Sequence, residues 1–144
     1  MKFFLAIVLA LVSGCAAALE ATEAVLRSEA AHATGPRADQ LRAALALIEL
    51  LRAAQRAAAE AHAAAAQETE RARAAAAYVE TCTHRIESAS DDDLAAAHAL
   101  ARDASELSRV ANERALHAQE QSAAARVQVA DLEQRVASAL RSTQ

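Results

Sequence analysis

The sequence predicts an all-α protein: a long antiparallel helical hairpin, packed as a coiled coil with an alanine-rich interface, preceded by a short N-terminal helix. Alanine, the residue with the highest helix propensity, supplies most of the apolar residues. Only two glycines and one proline occur in the 144 residues, so few positions interrupt a helix. Apolar residues also recur at heptad spacing along two long segments, which is the pattern of helices packed side by side.

Composition narrows the classes of function. The chain is 54% hydrophobic but only 2% aromatic, and such high hydrophobicity is not typical of disordered segments. The formal net charge is −4, and the sequence has neither basic runs nor clustered aromatic side chains on which bases stack. We therefore expect no nucleic acid partner.

The first residues predict export. Residues 1–15 read MKFFLAIVLALVSGC, with one positive charge at Lys2 followed by ten apolar residues from Phe3 to Val12. This apolar run is shorter than the roughly 20 residues that span a bilayer, and its length suits the central region of a signal peptide. Residues 1–14 are therefore predicted to be a signal peptide.

The segment Val12-Ser13-Gly14-Cys15 resembles the lipobox of bacterial lipoproteins, which has an aliphatic residue, two small residues and a cysteine. In that family the cysteine receives a diacylglycerol, cleavage occurs before it, and its new amino group is acylated. The resemblance implies that Cys15 becomes a lipid-anchored first residue, held on a membrane by about 0.8 kcal/mol per buried CH₂. The alternative is ordinary cleavage after the alanines at 16–18, which leaves a soluble secreted protein.

Two breaks divide the remaining chain. At the first, Gly35 suits the position just past a helix end, and Pro36 suits the first turn of the next helix. The second lies within residues 88–93, where Ser90 can cap a helix and Asp93 stands in the place of the capping-box acid.

Three helices are therefore predicted, at about 17–33, 37–87 and 91–141. Residues 15–35 are expected to form the lipid-anchored segment with its short helix. Residues 36–144 are expected to form the hairpin, with its turn near 88–93.

A heptad stripe free of charged residues runs along each long predicted helix. In the third helix the stripe contains Leu94, Ala97, Ala101, Ala104, Ser108, Ala111, Ala115, Ala118, Ser122, Ala125, Val129, Leu132, Val136 and Ala139. In the second helix it contains Leu41, Ala44, Ile48, Leu51, Gln55, Ala58, His62, Ala65, Thr69, Ala72, Ala76, Val79, Thr83 and Ile86. The second stripe is the weaker one because four of its members are polar.

The two stripes match in length and in side-chain size, which favours a hairpin. Folding about the turn gives the pairs Ile48–Leu132, Leu51–Val129, Ala58–Ser122, Ala65–Ala115 and Ala72–Ser108. Bulky residues then face bulky residues, and small residues face small ones.

Apolar residues off the stripes require a further partner. The first helix, with Leu19, Val25 and Leu26, is expected to cover residues 45–50 and to form a three-helix bundle at that end. In the third helix, Leu100 and Leu107 lie one heptad apart on a face that the hairpin leaves uncovered. They are the predicted oligomer contact, either with a second copy of the chain or with an envelope protein.

No motif for catalysis or metal binding stands out. Cys82 and His84 are two residues apart on a helix and point to different faces, so we expect solvated histidines and no metal site. With Cys15 acylated, Cys82 is the remaining thiol, and an interchain disulfide through it is open in an oxidising compartment. The sequence has no phosphate loop, nucleophile elbow or HExxH motif, so we expect no enzyme, no cofactor and no small-molecule substrate.

The chain as a whole resembles the small alanine-rich coiled-coil lipoproteins of the bacterial envelope. The resemblance implies a structural or adaptor role and an outer-membrane anchor facing the periplasm, since Ala16 rather than an aspartate follows the cysteine. Murein-linked members of that family end in a lysine, whereas this chain has no lysine after Lys2. An alanine-rich helical surface-coat protein and a soluble secreted helical binding protein are the alternatives.

Overall fold

The computed structural model describes residues 16–142, with side chains described from residue 19. The described chain consists of helix α1 (Ala16–His32), helix α2 (Pro36–Glu87) and helix α3 (Leu94–Ser142), without a strand. Helices α2 and α3 pack together as a hairpin, so the predicted all-α fold class is confirmed.

The break between α1 and α2 follows the sequence prediction. Gly35 adopts φ 64°, a left-handed conformation that costs glycine little because it has no Cβ. Pro36 is the first residue of α2, where its missing N–H leaves no hydrogen bond unmade. The Gly35 carbonyl accepts from the N–H groups of Ala38 and Asp39 at 3.0 and 3.4 Å, so the same residue also begins α2.

The start of α3 lies three residues later than predicted. Helix α3 begins at Leu94, and the Asp93 carbonyl accepts the first helical hydrogen bond, from the Ala97 N–H at 3.0 Å. Asp93 therefore takes the N-cap position that the sequence had assigned to Ser90. The Asp93 N–H bonds back to the Ser90 carbonyl at 3.0 Å, and the Ser90 hydroxyl donates to Asp93 Oδ2 at 2.8 Å, which closes a turn before the helix.

The helices form two compact units: the described residues of the first are 16–57 and 126–142, and the second consists of residues 58–125. Within its described part, the first unit is a three-helix bundle around a core of large aliphatic side chains. Its buried cluster contains Leu19, Leu26, Leu41, Ala44, Ile48, Leu51, Leu132, Val136 and Leu140. Each fully buried Leu or Ile contributes roughly 1.5–3 kcal/mol.

Helix α1 docks in the first unit through a buried carboxylate as well as through leucines. Glu23 is almost fully buried, and its two oxygens contact the guanidinium groups of Arg27 on α1 and Arg52 on α2. Arg27 Nη2 also lies 3.9 Å from Glu49 Oε1, at the surface of α2. A buried carboxylate is tolerated only with such opposite charges beside it.

The second unit is built in the opposite way, with small side chains inside. Its buried residues are Ala65, Ala72, Cys82, Ala97, Ala104, Ala115 and Ser122. Small side chains let two helices approach closely, but each buries little apolar surface. Leu107 and Leu116, by contrast, are exposed in this unit.

The predicted stripe of α3 is correct from Ala97 to Ala139, where no member is exposed, but that of α2 is wrong at three positions in the second unit. There His62, Ala76 and Thr83 are exposed, and the residue before each lies on the covered side instead: Ala61, Ala75 and Cys82. The stripe therefore changes register after Ala58, with a spacing of three residues where four was predicted.

The pairing of the helices in the second unit is also shifted. The prediction places Gln119 opposite Ala61, but the Gln119 amide donates to Thr69 Oγ1 at 3.3 Å. Ala61 and Thr69 are separated by about 12 Å along α2, so flexibility of the Gln119 side chain does not explain the difference between the predicted and the observed neighbour. At the turn, Ala89 lines a groove together with Ala97 and Leu100. Residues 88–90 thus lie beside the first turns of α3.

Candidate interaction surface

The predicted anchor lies outside the described residues. Signal peptide residues 1–14 and Cys15 precede Ala16, the first residue of α1, so acylation of Cys15 stays a prediction. Within the described part of the chain, none of the helices combines the length and the apolar character needed to cross a membrane.

Cys82 lies inside the second unit, where it is 2% exposed. The predicted stripe had Thr83, not Cys82, on the covered face, and the register change described above explains the difference. Hydrogen bonding to Cys82, one turn later, raises the pKa of the Tyr78 phenol. An interchain disulfide through Cys82 requires the two helices to separate at this point.

The histidines considered as metal ligands are surface residues. His84 and His98 are both exposed, and His84 Nδ1 lies 3.1 Å from Glu87 Oε2 on its own helix. Among residues 16–142, no three His, Cys, Asp or Glu side chains converge in a way that could hold a metal ion.

Leu100 and Leu107 are brought to one face of α3, as predicted. Leu107 is 60% exposed, and Leu100 is partly buried at the edge of the groove beside the turn. Leu116, which is 59% exposed, points about 180° away from Leu107, because nine residues at 100° each make two and a half turns. The exposed leucines of α3 therefore belong to two different surfaces.

The surface that contains Leu107 is a second heptad stripe, separate from the one that faces α2. It consists of Leu100, Asp103, Leu107, Val110, Arg114 and His117, hereafter the 100–117 face. Their spacings of three, four, three, four and three residues keep all six within about 100° of the helix circumference. Only the two leucines were predicted from the sequence, because charged residues occupy two of the six positions.

The charges on the 100–117 face differ from those elsewhere on α3. Arg109 contacts Glu106 and Glu113 outside this face, and hydrogen bonding to Arg109 lowers the pKa of Glu106. Such exposed pairs stabilise a helix only slightly. Asp103 and Arg114 are also exposed, but in the described part of the chain neither forms an ion pair.

No protein-family model, curated protein or solved structure matches this chain. The sequence and the geometry of the described residues are therefore the basis for any statement about its function.

Proposed function

We propose that this chain is a non-enzymatic lipoprotein of the bacterial cell envelope, a structural or adaptor coiled coil anchored by acyl chains on Cys15. The observation that carries the proposal is the lipobox-like segment Val12-Ser13-Gly14-Cys15, which directly precedes α1. By the family resemblance, the anchor lies in the outer membrane and the helices face the periplasm.

The packing of α1 favours cleavage before Cys15 over cleavage after residue 18. Leu19 is buried in the core of the first unit, and α1 extends three residues before it. Cleavage after residue 18 would leave a charged amino group on Leu19, beside the apolar core. A charge there is costly to desolvate, and a positive charge at a helix N-terminus opposes the helix dipole.

The placement of polar side chains supports a binding or structural role over catalysis. The charged residues of the second unit lie mostly on exposed helix faces, where several pair with neighbours three or four residues away. Side chains in such positions are solvated by bulk water, whereas catalytic groups act from enclosed pockets. The partner is accordingly expected to dock on a helix face.

The test is membrane fractionation of the full chain expressed in bacteria, comparing the parent with Cys15→Ser. We expect the parent in the membrane fraction after a high-salt wash, and the variant either uncleaved or in the soluble fraction. Cys82→Ser is the matched control and should behave as the parent does. If Cys15→Ser fractionates and migrates like the parent, Cys15 is not the anchor and the proposal is wrong.

A further inference from the structure

The 100–117 face has side chains suited to a second helix, and its central leucine, Leu107, is exposed in the described chain. Leu107 is 60% exposed although the interior of the same unit holds only small side chains. Leu100 and Val110 are partly buried, and Asp103 and Arg114 flank the apolar centre as exposed charges. An apolar centre between two charges is the arrangement of a helix–helix contact.

The order of these residues makes the face complementary to itself. When two copies of α3 run antiparallel about a two-fold axis between residues 108 and 109, Leu107 of one copy lies opposite Val110 of the other. The same operation places Asp103 opposite Arg114. Because an isologous contact uses every pair twice, one interface contains two apolar pairs and two pairs of opposite charge.

The outermost pair is compatible with this arrangement. Leu100 lies opposite His117, whose ring has an apolar body and a polar edge. His117 Nε2 and the Gln121 amide nitrogen are 3.0 Å apart, so the polar edge is already partnered on its own helix. The heptad spacing keeps the three kinds of pair on one line of contact along both helices.

We propose that the 100–117 face binds the same face of a second copy of this chain in antiparallel orientation. Binding of an unrelated partner would require only an apolar patch. It would not require opposite charges at equal distances on the two sides of the centre of that patch. Asp103 and Arg114 satisfy this requirement, and neither has an ion-pair partner within the described chain. The contact does not depend on Cys15, so it stands or falls separately from lipid anchoring.

Charge reversal provides the sharpest test, with two differently tagged copies of the full chain purified in mild detergent. In Asp103→Arg, the introduced arginine of each copy faces Arg114 of the other copy. In Arg114→Asp, the introduced aspartate of each copy faces Asp103 of the other copy. Each variant alone should self-associate at least about tenfold more weakly than the parent, because like charges in contact are repulsive. A mixture of the two variants should associate as the parent does, since the introduced arginine of one copy then faces the introduced aspartate of the other.

A matched pair of leucine variants distinguishes association through this face from non-specific hydrophobic association. Leu107→Gln should weaken association, whereas Leu116→Gln should not, although the two leucines are 60% and 59% exposed. Light scattering gives the mass of each sample, and circular dichroism verifies that each variant stays helical. The proposal is overturned if the parent is monomeric, if either reversal alone associates normally, or if helical single variants fail to associate when mixed.

Discussion

Glu23 forms ion pairs with Arg27 and Arg52. We predict that removing Arg52 destabilises the docking of α1 more than removing the charge of Glu23 does. The Glu23 side chain is 4% exposed, whereas those of Arg52 and Arg27 are 27% and 63% exposed. Arg52→Met keeps the aliphatic length but leaves Glu23 buried with only Arg27 beside it. Breaking a buried pair in this way costs about 3–5 kcal/mol, and we expect about 3 kcal/mol because Arg27 remains.

Glu23→Gln should cost much less, because the guanidinium groups of Arg27 and Arg52 can turn toward water and the amide oxygen can still accept from one of them. The loss is then one hydrogen bond to a charged group, about 1.5 kcal/mol. The double variant Glu23→Gln/Arg52→Met removes the buried charge altogether. It should therefore be more stable than Arg52→Met alone.

Native-state hydrogen exchange of α1 amides, followed by mass spectrometry, measures the free energy of undocking α1. A loss of about 3 kcal/mol raises the opening equilibrium constant about a hundredfold, and 1.5 kcal/mol raises it about tenfold. Amides of the second unit, within residues 58–125, serve as an internal control that should not change. If Glu23→Gln opens α1 as much as Arg52→Met does, the carboxylate is not the group whose burial matters.

Three further predictions address the turns and the second unit. Cys82→Ala should lower the pKa of Tyr78 toward its ordinary value; the chain has one tyrosine and no tryptophan, so ultraviolet absorbance reports this group alone. In the parent, the raised pKa means that the stabilisation from Tyr78 is present below the ordinary phenol pKa. It is lost as the pH rises through the pKa of the folded state, so the difference in stability between parent and variant should narrow across that pH range. Gly35→Ala places a side chain at φ 64° with no atom within 4 Å of its Cβ, so we expect a loss of about 1–2 kcal/mol from the backbone alone. Gly35→Asn should lose less, and equal thermal melts for both would contradict this reasoning. Ala104→Leu overfills a position that is 0% exposed and should cost about 1–3 kcal/mol in chemical unfolding, whereas Ala123→Leu on an exposed face should cost almost nothing.

The fold was largely predictable because its elements depend on local sequence. Helix limits followed from Gly35 and Pro36, and the charge-free stripe of α3 identified its covered face. The second half of α2 was harder, because alanines on several faces leave the stripe without a contrast in side-chain size. Thr83 and Cys82 are both small, so only the packed structure decides which of them is covered.

Features that depend on tertiary contacts were harder to predict from the sequence. Glu23 and Arg27 stand at helical spacing in the sequence, but the pairing with Arg52 exists only because α1 folds back onto α2. A signal was present all the same, since Glu23 lies four residues after Leu19 and three before Leu26, on the apolar side of α1. A charged residue in such a place indicates a buried ion pair. The 100–117 face was predicted only through its leucines, because its charges become meaningful once an antiparallel second copy is considered.

The central claim, a lipid-anchored helical protein, is tested most directly by the intact mass of the mature protein extracted from membranes. We expect a chain that begins at Cys15 and carries the mass of a diacylglycerol and an amide-linked acyl chain. An unmodified chain that begins at Leu19 would instead indicate a secreted protein, and a C-terminal glycolipid would indicate a surface coat. Either of these masses would contradict lipid anchoring through Cys15.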